Sequence, residues 1–281
     1  MTIDVHSHTW PFPEAFSEDF IRQASGARAN AEIDISVRYE DYAATVPPGT
    51  RSIVFGGKAK LSGVWVDDAY VADYVAKHPD TLIGFLSVDP TQPGWEDELR
   101  HGHKVLGLRG VKLLPMYAGF KVNDPSLEPL WQYCEANGLP VLMHTGTTFI
   151  RQAPLECTFP RLIEPVALKY PGVKFILAHL GHPWEGECVV TIRKHPNVFA
   201  DISALHYRPF QLYQSLMLVQ EYGVWDKLLF GSDYPFTTVN ASIEGLRKLN
   251  DMLEGTALPR LDLEQIEKLI HRDSLRLLGL E

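Results

Sequence analysis

The chain opens with Ile3-Asp4-Val5-His6-Ser7-His8, an apolar strand-like run that carries two histidines separated by one residue. Side chains two residues apart in a β-strand point to the same face, so both histidines can reach one metal ion. Three more metal-type residues close similar apolar runs further along the chain: His144, His179 and Asp233. Four strand ends that carry ligand-type residues predict a metal site at one rim of a sheet.

Eight short runs rich in Val, Ile, Leu and Phe predict β-strands. The predicted strands cover 3–6, 52–55, 82–88, 107–113, 140–144, 174–178, 198–202 and 227–230. Their near-continuous hydrophobicity is typical of parallel strands that are covered on both faces. Amphipathic segments between them predict helices at 67–78, 126–137, 210–222 and 242–253.

Eight such βα units favour an α/β fold with a single closed (β/α)8 TIM barrel, whose typical length is about 250 residues. A doubly wound open sheet is the alternative, but no G-x-G-x-x-G phosphate loop follows the first strand. No linker or low-complexity tract divides the chain, so we predict one domain over residues 1–281. The segment from Thr9 to Arg51 is expected to form a lid, and residues 261–280 one long closing helix. Asp67 and Ser126 are expected to cap their helices.

The composition restricts the partners and the compartment. A formal net charge of −9 argues against nucleic acid or an anionic membrane as a partner. No apolar run approaches the roughly 20 residues of a membrane span, and the N-terminus lacks the features of a signal peptide. Cys134, Cys157 and Cys188 show no C-x-x-C spacing, so reduced, buried thiols in a cytoplasmic protein are expected. A small-molecule substrate is expected, and a homodimer is the default assembly while the oligomeric state stays open.

In a parallel barrel the carboxyl ends of all strands meet at one face, so the histidines and Asp233 would converge. Three imidazoles and a carboxylate suit one divalent ion, with Zn²⁺ preferred over Mn²⁺ or Fe²⁺. Each histidine taken singly is as readily a core or loop residue. Independent core histidines, however, would have no reason to choose strand ends.

These motifs resemble the amidohydrolase superfamily, most closely the amidohydrolase 2 branch that also contains aminocarboxymuconate-semialdehyde decarboxylase. The matching segments run from the first predicted strand to the last: Ile3-Asp4-Val5-His6-Ser7-His8, Arg109-Gly110-Val111-Lys112-Leu113, Leu142-Met143-His144-Thr145-Gly146, Ala178-His179-Leu180-Gly181 and Phe230-Gly231-Ser232-Asp233-Tyr234-Pro235. The resemblance implies that His6, His8, His144 and Asp233 bind the metal. It also implies that His179 acts as an acid/base or electrostatic partner, and that Asp233 accepts a proton from the metal-activated water.

Lys112 and Arg151 are the predicted substrate-binding residues. Two-metal amidohydrolases place a carbamylated lysine at the end of strand four, but this branch is usually mononuclear. Strand four is expected to continue through Leu113-Leu114-Pro115, which would leave Lys112 too deep to bridge two ions. Lys112 would then either contact a substrate carboxylate or have a structural role. Arg151 is either a bidentate contact to an acidic substrate or an exposed loop charge.

Further residues near the predicted rim carry weaker expectations. Asp4 has the strand parity of His6, so it is expected either to orient an imidazole or to bond to the backbone. His182 and His206 are candidates for substrate contact. Aromatic residues just past the strand ends indicate an apolar pocket: Trp10, Phe12, Tyr117, Phe149, Tyr207, Tyr234 and Phe236.

The leading functional hypothesis is a metal-dependent hydrolase of a small amide, ester or lactone, in which Asp233 and His179 transfer protons. The alternative is a non-oxidative decarboxylase of a small unsaturated or aromatic carboxylic acid. The same ligand set serves both reactions, and the compact chain favours hydrolysis, because some decarboxylases of the family carry longer insertions. A non-enzymatic binding protein on a degenerate barrel is disfavoured, since all five metal-type positions are intact.

Overall fold

The computed structural model describes residues 1–25 and 34–281. Eight parallel strands form one sheet in which neighbours in sequence are neighbours in space. They are β1 (Ile3–His8), β2 (Arg51–Phe55), β3 (Leu82–Ser87), β4 (Val111–Leu113), β5 (Val141–Met143), β6 (Phe175–Leu177), β7 (Val198–Asp201) and β8 (Leu228–Leu229). All eight predicted strands are therefore confirmed. A short antiparallel hairpin, Lys58–Ala59 with Val64–Trp65, follows β2.

The first and last strands meet and close the sheet into the predicted barrel. The Val5 N–H donates to Phe230 O and the Asp233 N–H donates to His6 O, both across this seam. Side chains alternate between the two layers of the core, as strand geometry requires. Ile53 of β2 lies in the barrel interior, whereas its neighbour Val54 packs against the surrounding helices.

Helices surround the barrel and connect its strands. The α-helices are α1 (Glu18–Ser25), α2 (Tyr39–Ala43), α3 (Asp68–Ala76), α4 (Trp95–Lys104), α5 (Pro115–Ala118), α6 (Glu128–Asn137), α7 (Glu164–Lys169), α8 (Glu185–Lys194), α9 (Pro209–Tyr222), α10 (Val239–Arg247), α11 (Leu263–Ile270) and α12 (Ser274–Leu278). Short 3-10 turns cover Lys60–Ser62, Pro125–Leu127, Leu155–Cys157, Pro160–Ile163, Ala178–Gly181, Trp225–Lys227 and Leu249–Leu253. Among the described helices, none combines the length and apolar character needed to cross a membrane.

Of the two predicted helix-capping residues, one is confirmed and one is wrong. Asp67 caps α3 as predicted, because its side chain accepts from the Ala69 N–H. The prediction for Ser126 is wrong, since Asp124 accepts the Ser126 N–H and starts the turn that leads into α6. An aspartate two residues earlier, directly before Pro125, is the stronger start signal, because its carboxylate reaches a free N–H of the first turn.

The predicted long last helix is also wrong. The helix ends at Ile270, and Asp273 then caps a separate short helix, α12, by accepting the Arg276 N–H. The break turns the chain so that Leu275 and Leu278 join Ile3 in the barrel interior. The final segment therefore closes the barrel through a short helix that packs against the start of β1.

The segment predicted as a lid is described in part, since residues 26–33 lie outside the described residues. Its described portions place Trp10, Phe16, Phe20 and Ile35 in the wall of a cavity at the barrel mouth. The Trp10 indole N–H donates to Ile35 O at 2.7 Å, which fastens the start of the segment to its middle. The three cysteines are free and buried, as predicted.

Candidate metal centre

The strand ends bring the metal-type residues together at the mouth of the barrel. Asp233 Oδ1 lies 3.2 Å from His6 Nε2 and 3.1 Å from His8 Nε2. The ring centroid of His179 lies 4.8 Å from that of His6 and 5.0 Å from that of His144. The five residues predicted from the strand-end pattern thus form one cluster of neighbouring side chains.

A β-bulge in β1 explains how two of these histidines face the cluster. The pairing of β1 with β2 shifts by one residue between Asp4 and Ser7. Val5, before the shift, lies in the apolar interior of the barrel. The extra residue changes the alternation, so His6 and His8 also face inward at the mouth.

Of the two roles expected for Asp4, the structure shows the second, hydrogen bonding to the backbone. Its carboxylate accepts the Ser7 hydroxyl at 2.7 Å, the Ser232 hydroxyl at 2.7 Å and the His6 backbone N–H at 3.1 Å. Asp4 thus fastens β1 to the end of β8. Burial raises the pKa of Asp4 to about 6, although these hydrogen bonds oppose the rise.

Asp201, at the end of β7, takes the position that was expected for Asp4. Its Oδ2 lies 2.9 Å from Nδ1 of His6, and the side chain is fully buried. The hydrophobic pattern predicts a strand at 198–202 but suggests no role for this residue. The sequence did contain a usable signal, because Asp201 ends an apolar run in the same way as the predicted ligand Asp233 does.

Lys112 lies within the cluster, which corrects the expectation that it is too deep. β4 ends at Leu113 and α5 begins at Pro115, because proline cannot continue the strand pairing but suits the first helical turn. Lys112 Nζ lies 3.3 Å from His6 Nε2 and 4.3 Å from the Phe55 ring centroid. Burial lowers the pKa of Lys112 to about 7, although the carboxylates of Asp201 and Asp233 oppose this.

The electrostatics of the histidines suit a metal ion. Burial lowers the pKa of His144 to about 3, and burial also lowers the pKa values of His6, His8 and His179. These rings are neutral at neutral pH, as coordination requires. His144 Nε2 and His8 Nδ1 are buried and have no hydrogen-bond partner among the described residues. A divalent ion would give His144 Nε2 the partner that a buried nitrogen needs, whereas His8 faces Asp233 through its other nitrogen, Nε2.

The tightest potential ligand group differs from the quartet expected from the sequence. His6, His179 and Asp233 offer ligand atoms that all lie within 4.8 Å of one another. This group contains His179, which the resemblance placed beside the ligand set. The positions therefore allow His179 to serve either as a ligand or as an acid/base next to the ion.

The turns that follow β6, β7 and β8 hold several residues in a left-handed backbone conformation. The φ angles are 58° at His179, 48° at Leu180, 61° at Ala204 and 67° at Asp233. This region costs on the order of 1–3 kcal/mol for a residue with a Cβ and is concentrated at functional sites. Gly231 permits the close approach of β8, because a Cβ there would lie 2.9 Å from His6 Cβ.

A cavity of about 360 Å³ lies over the cluster and is lined mainly by apolar and aromatic side chains. Five of the predicted aromatic residues line it: Trp10, Tyr117, Phe149, Tyr207 and Phe236. Two others pack elsewhere, Phe12 against Phe16 and Tyr234 against Tyr42. Of the two histidines expected to contact the substrate, His182 lines the cavity, whereas His206 is hydrogen-bonded through Nε2 to Gly231 O at 3.1 Å.

Among the described residues, the arginine that lines the cavity is Arg208, which no sequence motif singled out. Its guanidinium carbon lies 4.9 Å from the Tyr207 ring centroid, in the loop between β7 and α9. The predicted Arg151 is exposed, and its backbone N–H donates to Gln23 Oε1 at 2.8 Å. The preceding Ile150 is buried, so the chain turns Ile150 inward and Arg151 outward.

Comparison with known proteins agrees with this architecture. A sequence model of the amidohydrolase family matches residues 3–280. None of the curated proteins matches the chain.

Several solved structures share the fold over nearly the whole chain. An uncharacterised TIM-barrel protein from Bordetella bronchiseptica is 22% identical with a TM-score of 0.71, covering 99% of this chain and 98% of that one. A probable 2-pyrone-4,6-dicarboxylic acid hydrolase from Acinetobacter baumannii is 17% identical with a TM-score of 0.67, covering 99% of both chains. A dihydroxybenzoic acid decarboxylase from a Polaromonas species, with bound manganese, is 16% identical with a TM-score of 0.64, covering 99% of this chain and 97% of that one. At these identities the similarity shows the TIM-barrel fold.

Proposed function

This chain belongs to the amidohydrolase family, and from that premise we propose that it is a metal-dependent hydrolase of a small ester, lactone or amide. The observation that carries the proposal is the position of the Asp233 carboxylate. Its Oδ1 lies 3.1–3.2 Å from two neutral imidazoles at the base of an apolar cavity. A carboxylate placed there can both bind a cation and accept the proton that a water molecule loses during attack on a carbonyl.

We propose that His6, His8, His144 and Asp233 hold one divalent ion. The unpartnered buried Nε2 of His144 supports its inclusion, and His8 is included because its Nε2 lies 3.1 Å from Asp233 Oδ1. A bound ion of this kind polarises a carbonyl oxygen and lowers the pKa of a coordinated water. Zn²⁺ suits three imidazoles and a carboxylate, and the manganese in the Polaromonas decarboxylase makes Mn²⁺ the alternative.

The remaining residues have separate proposed roles around the reacting carbonyl. Asp233 accepts the proton of the attacking water and passes it to the neutral His179, 4.8 Å from His6 between ring centroids, which then delivers it to the leaving group. Lys112 and Arg208 contribute basic side chains to the cavity wall, and we propose that they bind a substrate carboxylate. The aromatic wall then receives the apolar ring of the substrate.

A second candidate function is non-oxidative decarboxylation of an aromatic acid. Solved neighbours with this fold include decarboxylases of dihydroxybenzoic acid and 5-carboxyvanillate. The aromatic cavity wall of this chain favours the same kind of ring. In this reaction the bond between the ring carbon and the carboxylate breaks, CO₂ leaves, and the ring carbon takes a proton from the site.

One experiment separates the two functions. Protein loaded with Zn²⁺ or Mn²⁺ is assayed on carboxylated lactones, esters, amides and aromatic acids, with acid release and CO₂ release measured in parallel. We expect acid release without CO₂, and its loss in Asp233→Asn. CO₂ release would support the second function, and the absence of both products across the panel would contradict both.

An uncharged ester provides a matched control for the cations of the cavity wall. Arg208→Gln should raise KM for a carboxylated ester by roughly tenfold or more, since hydrogen bonds to charged groups contribute about 1.5–3 kcal/mol. The same variant should leave KM for the uncharged ester nearly unchanged. An equal effect on both esters would remove Arg208 from the proposed carboxylate site.

A further inference from the structure

We propose that Asp201 and Ser203 form a positioning unit that sets the tautomer of both His6 and His179. The unit holds each ring with its proton on Nδ1 and leaves the lone pair of Nε2 for the site. The inference concerns the centre described in the proposed function and rests on that function only for its effect on metal binding. The tautomers themselves are properties of the metal-free protein.

The unit is built from two fully buried side chains at the end of β7. Asp201 Oδ2 lies 2.9 Å from His6 Nδ1. Asp201 Oδ1 accepts the Ser203 hydroxyl, and it accepts the backbone N–H groups of His179 and Ser203 at 3.0 Å each. One carboxylate therefore links β1, the turn after β6 and the turn after β7.

Donor and acceptor chemistry decides the tautomer of His6. An ionised carboxylate only accepts hydrogen bonds, so Nδ1 of His6 must carry the proton that is shared with Asp201. In a neutral imidazole the other nitrogen then carries a lone pair. Lys112 Nζ lies 3.3 Å from that nitrogen, and an N–H of the lysine can donate to the lone pair that this tautomer leaves there.

The same reasoning applies to His179 through the serine. Ser203 has one hydroxyl hydrogen, and it is directed to Asp201 Oδ1. The Ser203 oxygen, 2.8 Å from His179 Nδ1, is then the acceptor of that contact. The carbonyl of Ser203 lies 3.2 Å from the same nitrogen and also only accepts. Both contacts require the proton on Nδ1 of His179.

The consequence is that one carboxylate prepares two rings that stand on different strands. His6 faces Asp233 at 3.2 Å through Nε2, and Nε2 is the atom that the tautomer leaves unprotonated. A hydrogen-bonded partner behind a metal-binding histidine typically changes metal affinity by about 10–100-fold. Asp201 thus acts on the centre through His6 and His179 rather than by touching a substrate.

The test reads the tautomers directly by ¹⁵N NMR of histidine side chains in the metal-free protein. His6→Gln and His179→Gln assign the two rings through the loss of their signals. We expect both wild-type rings to carry the proton on Nδ1. Either ring found mainly as the Nε2–H form in the wild type overturns the proposal, and this measurement depends on neither metal nor activity.

Two variants separate the members of the unit. Ser203→Ala should alter the tautomer signals of His179 more than those of His6, because Asp201 Oδ2 still holds His6 Nδ1 at 2.9 Å after the 3.1 Å contact from Ser203 is lost. Asp201→Asn should alter both rings and weaken metal binding about 10–100-fold in a titration. Unchanged tautomers in both variants would overturn the proposal. Altered tautomers with unchanged metal affinity would leave the positioning intact and instead contradict the proposed metal ligands.

Discussion

At the residue scale, His179 is the residue of the centre whose position fits two roles, metal ligand and acid/base. Its ligand atom lies within 4.8 Å of those of His6 and Asp233, so distance alone admits it to the metal-binding group. Its Nδ1, however, is held by Ser203, and burial lowers the pKa of the ring. A neutral imidazole with a fixed tautomer can accept a proton on Nε2 and return it, as an acid/base residue must.

Substitution of His179 distinguishes these two roles. We expect His179→Asn to retain the ion and to lose about 10²–10⁴-fold in kcat, the usual contribution of general acid–base catalysis. His144→Asn is the matched control, because it should lose the ion together with activity. Metal analysis of both variants after dialysis provides the measurement. An ion lost from the His179 variant would place this residue among the ligands.

Lys112 gives a second prediction at this scale. If Lys112 contacts the substrate, Lys112→Met should keep one ion per chain. The variant should raise KM about 10–100-fold, the equivalent of 1.5–3 kcal/mol for a charged hydrogen bond. The value of kcat should change much less. Metal stoichiometry and steady-state kinetics test this together. Two ions in the wild type and one in the variant would indicate a bridging lysine instead.

The residues at the strand ends were predictable because the carboxyl ends of parallel strands meet at one face. His6, His144 and Asp233 follow from that rule alone. The sequence left the role of Asp4 open between an imidazole and the backbone, because a β-bulge leaves no mark in the hydrophobic pattern and reverses which side chains face inward. Arg208 was missed, and Arg151 chosen, because loop conformation decides which arginine reaches the cavity.

At the element scale, the turns after β6, β7 and β8 are the irregular parts of the barrel. Left-handed residues at each turn redirect the chain so that His179 and Asp233 face the cavity instead of continuing the strands. Gly181 is a left-handed glycine in the turn after β6, but at His179, Ala204 and Asp233 the left-handed residue is not glycine, the usual residue for this conformation. Tertiary contacts around the site must therefore maintain it.

Ala204 permits a test of this backbone strain. A left-handed conformation costs alanine about 1–2 kcal/mol, whereas the added flexibility of glycine costs about 0.5–1 kcal/mol. Ala204→Gly should therefore raise the free energy of unfolding by about 0.5–1 kcal/mol. Ala200→Gly, in the buried extended part of β7, should lower it. Chemical denaturation of both variants provides the comparison, and destabilisation of equal size at the two positions would contradict the strain.

At the scale of the whole molecule, the centre joins strands from around the barrel. His6, His8, His144 and Asp233 come from or follow β1, β5 and β8. An ion held by these residues would connect strands that are far apart in the chain. Binding to the folded form alone stabilises it by about 4 kcal/mol when the free ion is present at 1,000 times Kd.

Metal loading should therefore raise the melting temperature, and chelation should lower it. Differential scanning calorimetry of the loaded and the chelated protein measures the shift. His144→Asn should melt at one temperature under both conditions, because it lacks a proposed ligand. A shift of equal size in that variant would show that the ion stabilises the fold from another site.

The seam between β1 and β8 also has a consequence for biosynthesis. β1 is the first barrel strand to leave the ribosome, whereas its partner β8 is the last, and the Val5 N–H to Phe230 O bond joins them. His6 and His8 are therefore without Asp233 on the nascent chain until more than two hundred further residues have been translated. During that interval the histidines lack Asp233, so the metal centre can be completed only after synthesis of the barrel has ended.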